Sequence, residues 1–359
     1  MSAPSTDFWR GRRVLLTGHT GFKGSWMVMW LHQLGAEVRG LALEPPSTPS
    51  AFQALGLQGL IDHRIVDLRD ADAVRANIDG FEPSVVLHLA AQAIVRQSYV
   101  DPLETLQTNV MGTAHLFEAL RACPSVEAIV SVTSDKCYDN REWLYGYREI
   151  DALGGHDPYS ASKAMQELVT HAWRRSFFEV GDHPVTVVSA RAGNVLGGGD
   201  WAADRLIPDA ARAFAAGERV QIRSPHAVRP WQHVLESLRG YLLLAERASA
   251  DPSAAGAWNF GPDARDVRTV GEVMDRFAAA WGDGAAWDDV SETSTGPHEA
   301  KLLKLDASKA QTLLGWRPVL SLERCLELSA TWYRQHAAGA GADTLRALTL
   351  SQIEEASGA

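Results

Sequence analysis

Tyr159 and Lys163 stand four residues apart in Tyr159-Ser160-Ala161-Ser162-Lys163, a spacing that puts both side chains on one face of a helix. A nearby ammonium favours the phenolate and draws a tyrosine pKa down from ~10 towards neutrality. Such a phenolate can take the proton of a hydroxyl while a hydride leaves the carbon that bears it. Alone, the pair is equally a surface feature. Its chemistry is sharpened by Gly18-His19-Thr20-Gly21-Phe22-Lys23-Gly24 upstream. Glycines there let the backbone turn tightly and approach a pyrophosphate, which rests on the amino end of the following helix. Phosphate cradle and proton acceptor together point to a dinucleotide and to oxidation of a hydroxyl.

These groups need a scaffold that brings them to one edge. Short apolar runs alternate with helical patterns through the first half of the chain: strands over 13–17, 37–43, 64–66, 84–90, 128–133 and 185–190, and helices over 22–34, from 70, over 102–121 and over 159–178. The run at 84–90 is nearly continuous, as for a strand covered on both faces. This alternation predicts an α/β fold with a doubly wound parallel sheet of the Rossmann type, its ligands at the carboxyl ends of the strands. After 191 the rhythm breaks, although helix 234–247 and strand 257–260 return to the sheet. We expect residues 1–193, with 230–260, to form the dinucleotide-binding domain, and 194–229 with 261–335 a smaller mixed α/β substrate lobe. Residues 336–359, rich in Ala and Gly, read as a loosely held tail with one weak helix.

Glu44, twenty residues after Gly24 at the end of the second strand, is placed to accept from adenosine ribose hydroxyls and to repel a 2′-phosphate. No Arg or Lys stands in residues 45–60, so NAD is preferred to NADP. Asp67 and Leu68 follow the third strand, where they would contact adenine; Asp67 is equally the N-cap of the next helix.

Composition excludes other classes. With 359 residues, 46% hydrophobic and 22% charged, the chain is an ordinary globular protein; a net charge of −10 argues against a nucleic-acid or membrane-surface binder. Cys123, Cys137 and Cys325 are scattered and odd in number, giving neither a disulfide framework nor a paired metal motif. No His, Asp or Glu spacing suggests a metal, and no apolar run approaches the ~20 residues of a membrane span. A cytoplasmic location is expected.

The glycine loop, His88-Leu89-Ala90-Ala91, Asn109 in Thr108-Asn109-Val110-Met111-Gly112-Thr113, and Tyr159 with Lys163 together resemble the extended short-chain dehydrogenase/reductase family over residues 10–335. Within it, Thr133-Ser134-Asp135-Lys136-Cys137-Tyr138-Asp139-Asn140 is similar to the signature of the CDP-glucose 4,6-dehydratases. Arg191-Ala192-Gly193-Asn194-Val195, Gly198-Gly199-Asp200-Trp201, Arg229-Pro230-Trp231-Gln232-His233-Val234 and Pro297-His298-Glu299-Ala300-Lys301 agree with it. The resemblance implies bound NAD, with Leu89, Ala90, Ala91 and Thr133 against it, and CDP-glucose as substrate. Related dehydratases carry Thr-Asp-Glu, with Asp as acid and Glu as base. Here Ser134 would hold the C4 oxygen, Asp135 would be the acid and Lys136 the base. Arg229 falls where relatives bind phosphate; Arg205, Arg223 and Lys301 are further basic candidates, and Asn194 meets the sugar nucleotide between the lobes. A homodimer or higher homo-oligomer is implied, with helices 102–121 and 159–178 packed against their copies. A nucleotide-sugar 4-epimerase and a non-catalytic dinucleotide sensor on the same fold stay open as alternatives.

Overall fold

A computed structural model describes residues 2–180, 183–263, 266–291 and 302–357. Seven strands, β1 (Arg13–Thr17), β2 (Glu37–Ala42), β3 (Asp62–Ile65), β4 (Val85–His88), β5 (Ala128–Val132), β6 (Thr186–Ala192) and β7 (Gly256–Phe260), form one sheet in the order β7-β6-β5-β4-β1-β2-β3. Every pairing is parallel. The order reverses between β1 and β4, which opens a crevice at their carboxyl ends.

The side-chain period of two splits each central strand between two cores. Val14 and Leu16 of β1, and Val85 and Leu87 of β4, enter one layer, whereas Leu15 and Val86 enter the other. On the first face lie α1 (Phe22–Gln33) and, far along the chain, α6 (Val234–Ala250). On the second lie α2 (Ala71–Ile78), α3 (102–120) and α4 (Pro158–Trp173). Helix α3 runs through Pro102–Leu106, a π-helical turn at Gln107–Met111, and Gly112–Leu120. The sequence period predicted this helix but not its widened turn, in which Asn109 is buried.

Strand β3 lies two residues earlier than its apolar stretch suggests. Its position is set by pairing with β2 (Arg39↔Asp62 to Ala42↔Ile65) and by the Arg39–Asp62 ion pair at 2.7 Å. Over the carboxyl edge of the sheet stand α5 (Leu206–Ala215), α7 (Val270–Trp281) and two short strand pairs. Val220–Ile222 runs parallel to Trp287–Asp289, and Val228–Pro230 antiparallel to Val267–Thr269.

The expectation of a loose tail is corrected. Helix α8 (Leu322–Ala337) is followed by α9 (Ala342–Ser357), which buries Leu345, Thr349, Gln352, Ile353 and Ala356 and packs on α1, α6 and α8. Trp332 Nε1 of α8 donates to Thr349 Oγ1 (3.1 Å), and Gln352 Nε2 donates to the Leu328 carbonyl (3.1 Å). The Ala-rich composition hid an inward stripe at helical spacing.

Ile353→Ala should therefore lower stability by ~2–5 kcal/mol, the cost of emptying a buried aliphatic site. Urea unfolding would show it as a fall in midpoint at constant slope. A midpoint unchanged from the parent protein would mean that α9 is only loosely attached.

Candidate active site

β1 delivers the glycine loop to the sheet edge. Gly18 has φ +76°, and a Cβ there would stand 2.7 Å from Ala90 Cα, so only glycine lets this loop pass the segment after β4. At Gly24 a Cβ would lie 2.1 Å from the Gly18 carbonyl oxygen. Thr20 Oγ1 donates to the Leu43 carbonyl (2.8 Å), tying the loop to the end of β2. Helix α1 starts from Gly21 with no side-chain cap on its first amides, which leaves the positive end of the helix for an anion. A dinucleotide pyrophosphate fits this cradle.

The sequence-predicted residues Gly18, Thr20, Gly21, Phe22, Lys23, Gly24, Glu44, Asp67, Leu68, Leu89, Ala90, Ala91, Thr133, Ser134, Asp135, Lys136, Tyr159, Lys163, Asn194, Arg205, Arg223 and Arg229 all line one cleft of about 1710 Å³. Lys301 lies outside the described residues, as do Pro297, His298, Glu299 and Ala300. Glu44 stands exposed on the rim. Asp67 is not the N-cap of α2; that is Asp70, whose carboxylate accepts from Asp72 and Ala73 amides. Asp67 instead pairs with Arg69 at 2.6 Å, which holds its carboxyl below the usual range. His19 of the loop is buried behind the cradle, 2.6 Å from His63, and burial together with His63 lowers it to about 4.

Asp157 caps α4 by accepting from the Ser160 amide (2.9 Å), with Pro158 opening the first turn. This start fixes the phase of the helix, so Tyr159, Lys163 and Glu167 share its buried face. The Tyr159 amide donates to Ser98 Oγ (3.1 Å), and Asn109 Nδ2 donates to Ser162 Oγ (2.8 Å) and to the Gln92 carbonyl (3.0 Å). Asn109 thereby joins α3 and α4 to the loop after β4.

The expected depression of Tyr159 is corrected. Burial pushes the phenol up to about 12, opposed by hydrogen bonding from Ser134 and by the charge of Arg205. Lys163 Nζ donates to Gln166 Oε1 (2.8 Å) and to the Val132 carbonyl (3.4 Å), rather than acting on the phenol. Burial lowers Lys163 to about 8, with Glu167 opposing.

Asp135 is a buried carboxylic acid among cations at this end of the cleft. Burial raises its pKa; Lys136, the Ser134 hydroxyl, Arg229 and Lys23 pull it back. Ser134 Oγ donates to Asp135 Oδ1 (3.0 Å), and Oδ2 is buried without a hydrogen-bond partner. Lys23, whose Nζ donates to Tyr241 OH (3.2 Å), is lowered to about 7 by burial first and then by Arg205 and Lys163. Arg205 pairs with Asp200 at 2.9 Å, Arg223 with Asp204 at 3.2 Å, and Arg229 Nη1 donates to the Val228 carbonyl at 2.9 Å.

Beneath the triplet lies a group that sequence reading missed. Glu167 and Arg191 form an ion pair (2.8 Å), each side chain 4% exposed. Glu167 also accepts from Thr133 Oγ1 (2.5 Å) and Ser189 Oγ (2.7 Å), and Arg191 donates to Tyr138 OH (2.8 Å). The spacing of Glu167, four residues after Lys163 and eight after Tyr159, carried the signal.

Parallel sheet, glycine cradle and the Tyr159–Lys163 helix face together define a class. The chain matches the GDP-mannose 4,6 dehydratase family over residues 15–328 and belongs to it, among the nucleotide-sugar dehydratases and epimerases of the extended short-chain dehydrogenase/reductases. It is 49% identical over 332 residues to the CDP-glucose 4,6-dehydratase of Salmonella typhimurium, covering 91% of this chain and 92% of that one. A dTDP-glucose 4,6-dehydratase of Streptomyces antibioticus is 28% identical over 335 residues (90% and 93%). The UDP-glucose 4-epimerase of Thermus thermophilus, solved with NAD, superposes with a TM-score of 0.76 at 26% identity, covering 90% of this chain and 99% of that one.

Because the native state holds the Asp135 proton more tightly than the unfolded chain, this group favours folding most below its unfolded pKa of ~3.9. That contribution is lost as pH rises through the higher native value. Asp135→Asn should thus raise Tm at pH 7 by on the order of 1–2 °C per kcal/mol relieved in a chain of this length. The gain should shrink as pH falls towards 4, as differential scanning calorimetry across pH would show.

Proposed function

We propose that this protein converts CDP-glucose to CDP-4-keto-6-deoxyglucose and water, using NAD. The observation that carries this reading is the buried Asp135 beside Lys136 and Ser134, in the same cleft as Tyr159. A 4-epimerase needs neither Asp135 nor Lys136, whereas loss of water needs an acid for the leaving oxygen and a base for the neighbouring carbon. The 49% identity to a CDP-glucose 4,6-dehydratase supports the substrate.

Gly18, Thr20, Gly21, Phe22, Lys23 and Gly24 would hold the NAD phosphates, Glu44 the adenosine ribose, and Asp67 and Leu68 the adenine. Leu89, Ala90, Ala91 and Thr133 would flank the inner half. When bound, NAD would supply the hydride acceptor at C4 and the hydride donor at C6.

The chain's own residues handle the protons. Tyr159 takes the proton of the C4 hydroxyl, while Ser134 holds that oxygen; Thr133, its hydroxyl donated to Glu167, stands behind. Burial opposes charging of the phenol, and Lys163 would ease this step, because an ammonium drawn towards the phenolate as it forms would lower the cost of charging it. The C4 ketone acidifies C5–H, Lys136 removes that proton, and Asp135 protonates the C6 hydroxyl as it departs as water. C5 regains a proton at the end, so the net change is loss of one water. Asp135 suits its role because burial keeps it protonated further up the pH scale than an exposed carboxyl. Arg229, Arg205 and Asn194 would bind the sugar diphosphate. The apolar side chains exposed on α3 and α4, Leu103, Met111, Met165 and Leu168, support pairing with a second copy.

Substrate deuterated at C4 should yield product with the label at C6, read by mass spectrometry and NMR. Label returned to C4 without loss of water would identify an epimerase, and no turnover of any nucleotide glucose would identify a sensor. Tyr159→Phe should keep NAD binding but slow the reaction by ~10²–10⁴, the usual loss with a general base. Turnover near that of the parent protein would remove Tyr159 from the mechanism.

A further inference from the structure

Arg223 does not stand alone in the cleft. Asp204 Oδ1 accepts from Arg223 Nη2 at 3.2 Å and forms an ion pair with Arg96 Nη1 at 3.0 Å. The three residues come from different places. Arg96 belongs to the short helix Val95–Val100 after β4, Asp204 to the loop before α5, and Arg223 follows the strand Val220–Ile222. All three line the cleft, so the contact joins the sheet edge to the elements above it.

One carboxylate oxygen shared by two guanidiniums leaves an excess of positive charge. The neighbouring Asp209 also acts on Arg223, but it is itself paired with Arg212, so the group as a whole keeps its excess of positive charge. The loop carrying Asp204 is held on both sides of it: the Trp201 carbonyl accepts from Arg212 Nη1 (3.0 Å), and Arg205 pairs back to Asp200 (2.9 Å). Trp26 Nε1 donates to the Gly198 carbonyl (2.9 Å) and Tyr333 OH donates to the Asp200 carbonyl (2.5 Å). Asp204 itself has φ +61°, in the left-handed region. The side chains of Arg96, Asp204 and Arg223 are 36%, 38% and 40% exposed, and ion pairs this open contribute little. A diphosphate offers several charged oxygens to the same two planar forks, each of which can bind in bidentate fashion.

We propose that Arg96 and Arg223 are specificity-determining anchors for the diphosphate of the nucleotide sugar, and that Asp204 is an internal carboxylate occupying this anion site until the diphosphate displaces it. This rests on the nucleotide-sugar reading above and adds to it a residue, Arg96, and a competition. The substrate exchanges one shared carboxylate for two forked contacts, so the site discriminates between a diphosphate and a neutral or singly charged ligand.

The test is calorimetric titration of the full chain with CDP, cytidine and NAD separately. Arg96→Gln and Arg223→Gln should each weaken CDP binding about tenfold or more, as expected for a lost charged hydrogen bond. Cytidine and NAD affinities should stay within about twofold. Asp204→Asn, whose side chain tolerates the left-handed backbone, should tighten CDP about threefold. Arg96→Lys, which keeps the charge but loses the fork, should fall between the parent protein and Arg96→Gln, and it serves if the Gln variant does not fold. If Arg96→Gln tightens CDP as Asp204→Asn does, Arg96 is only a latch and the anchor assignment is wrong. Unchanged CDP affinity in both Arg variants, or a matching loss for cytidine or NAD, also overturns it. Failure of the parent protein to dehydrate CDP-glucose would sink the functional reading while leaving the CDP comparison readable.

Discussion

The buried Arg191–Glu167 pair is the interaction on which the site depends. Taking both charges out of water is costly, and such a pair is tolerated when hydrogen bonds satisfy it. Here Glu167 receives Arg191 twice, with Thr133 and Ser189 filling its remaining capacity, and Arg191 also reaches Tyr138 OH and the Glu149 carbonyl. Helix α4 is thereby fastened to the ends of β5 and β6. That one attachment sets the rotation of the helix presenting Tyr159 and Lys163, and the position of the strand end presenting Ser134, Asp135 and Lys136. The network continues through Tyr138 OH, which donates to Asn259 Oδ1 on β7 (2.8 Å). Cleft geometry is thus coupled to the edge of the sheet.

Above this neutralised pair, cations gather around one buried acid. The protein carries a net −10, yet Lys23, Lys136, Lys163, Arg205 and Arg229 converge on the cleft in which Asp135 is buried. Burial acts on the two kinds of group in opposite senses: it lowers Lys23 and Lys163 and raises Asp135 and Tyr159. All four therefore lean towards their neutral forms. Groups that must trade protons during a reaction are better placed there than locked as fixed charges.

Much of this was legible in the sequence because it is local. The strand–glycine loop–helix unit is contiguous, so the spacing of Gly18, Gly21 and Gly24 is enough to place them on a turn. The buried parallel strands announced themselves as short apolar runs. What failed to show depends on direction or distance. Lys163 shares a helix face with Tyr159, but its ammonium turns to Gln166, a choice that residue spacing does not encode. The partner of Arg96 lies on a loop beyond two further strands, and nothing in either neighbourhood links them. Asp67 and Asp70 are both chemically able to cap α2; only the backbone path decides between them. The tail was misread because its inward residues, Leu345, Thr349, Gln352, Ile353 and Ala356, include polar ones.

Gly198 and Gly199 pass directly over the Trp332 ring, where a Cβ on Gly198 would stand 2.1 Å from Cγ. That indole is held from behind by Thr349 of α9. The floor under the substrate side of the cleft is therefore made by segments synthesised after all seven strands. Because α9 packs on α1 as well, on a ribosome the helix behind the glycine cradle and the surface beneath Asp200 both wait for the last segments to emerge. Competence for the nucleotide and competence for the sugar would then be acquired together, late in the synthesis of the chain.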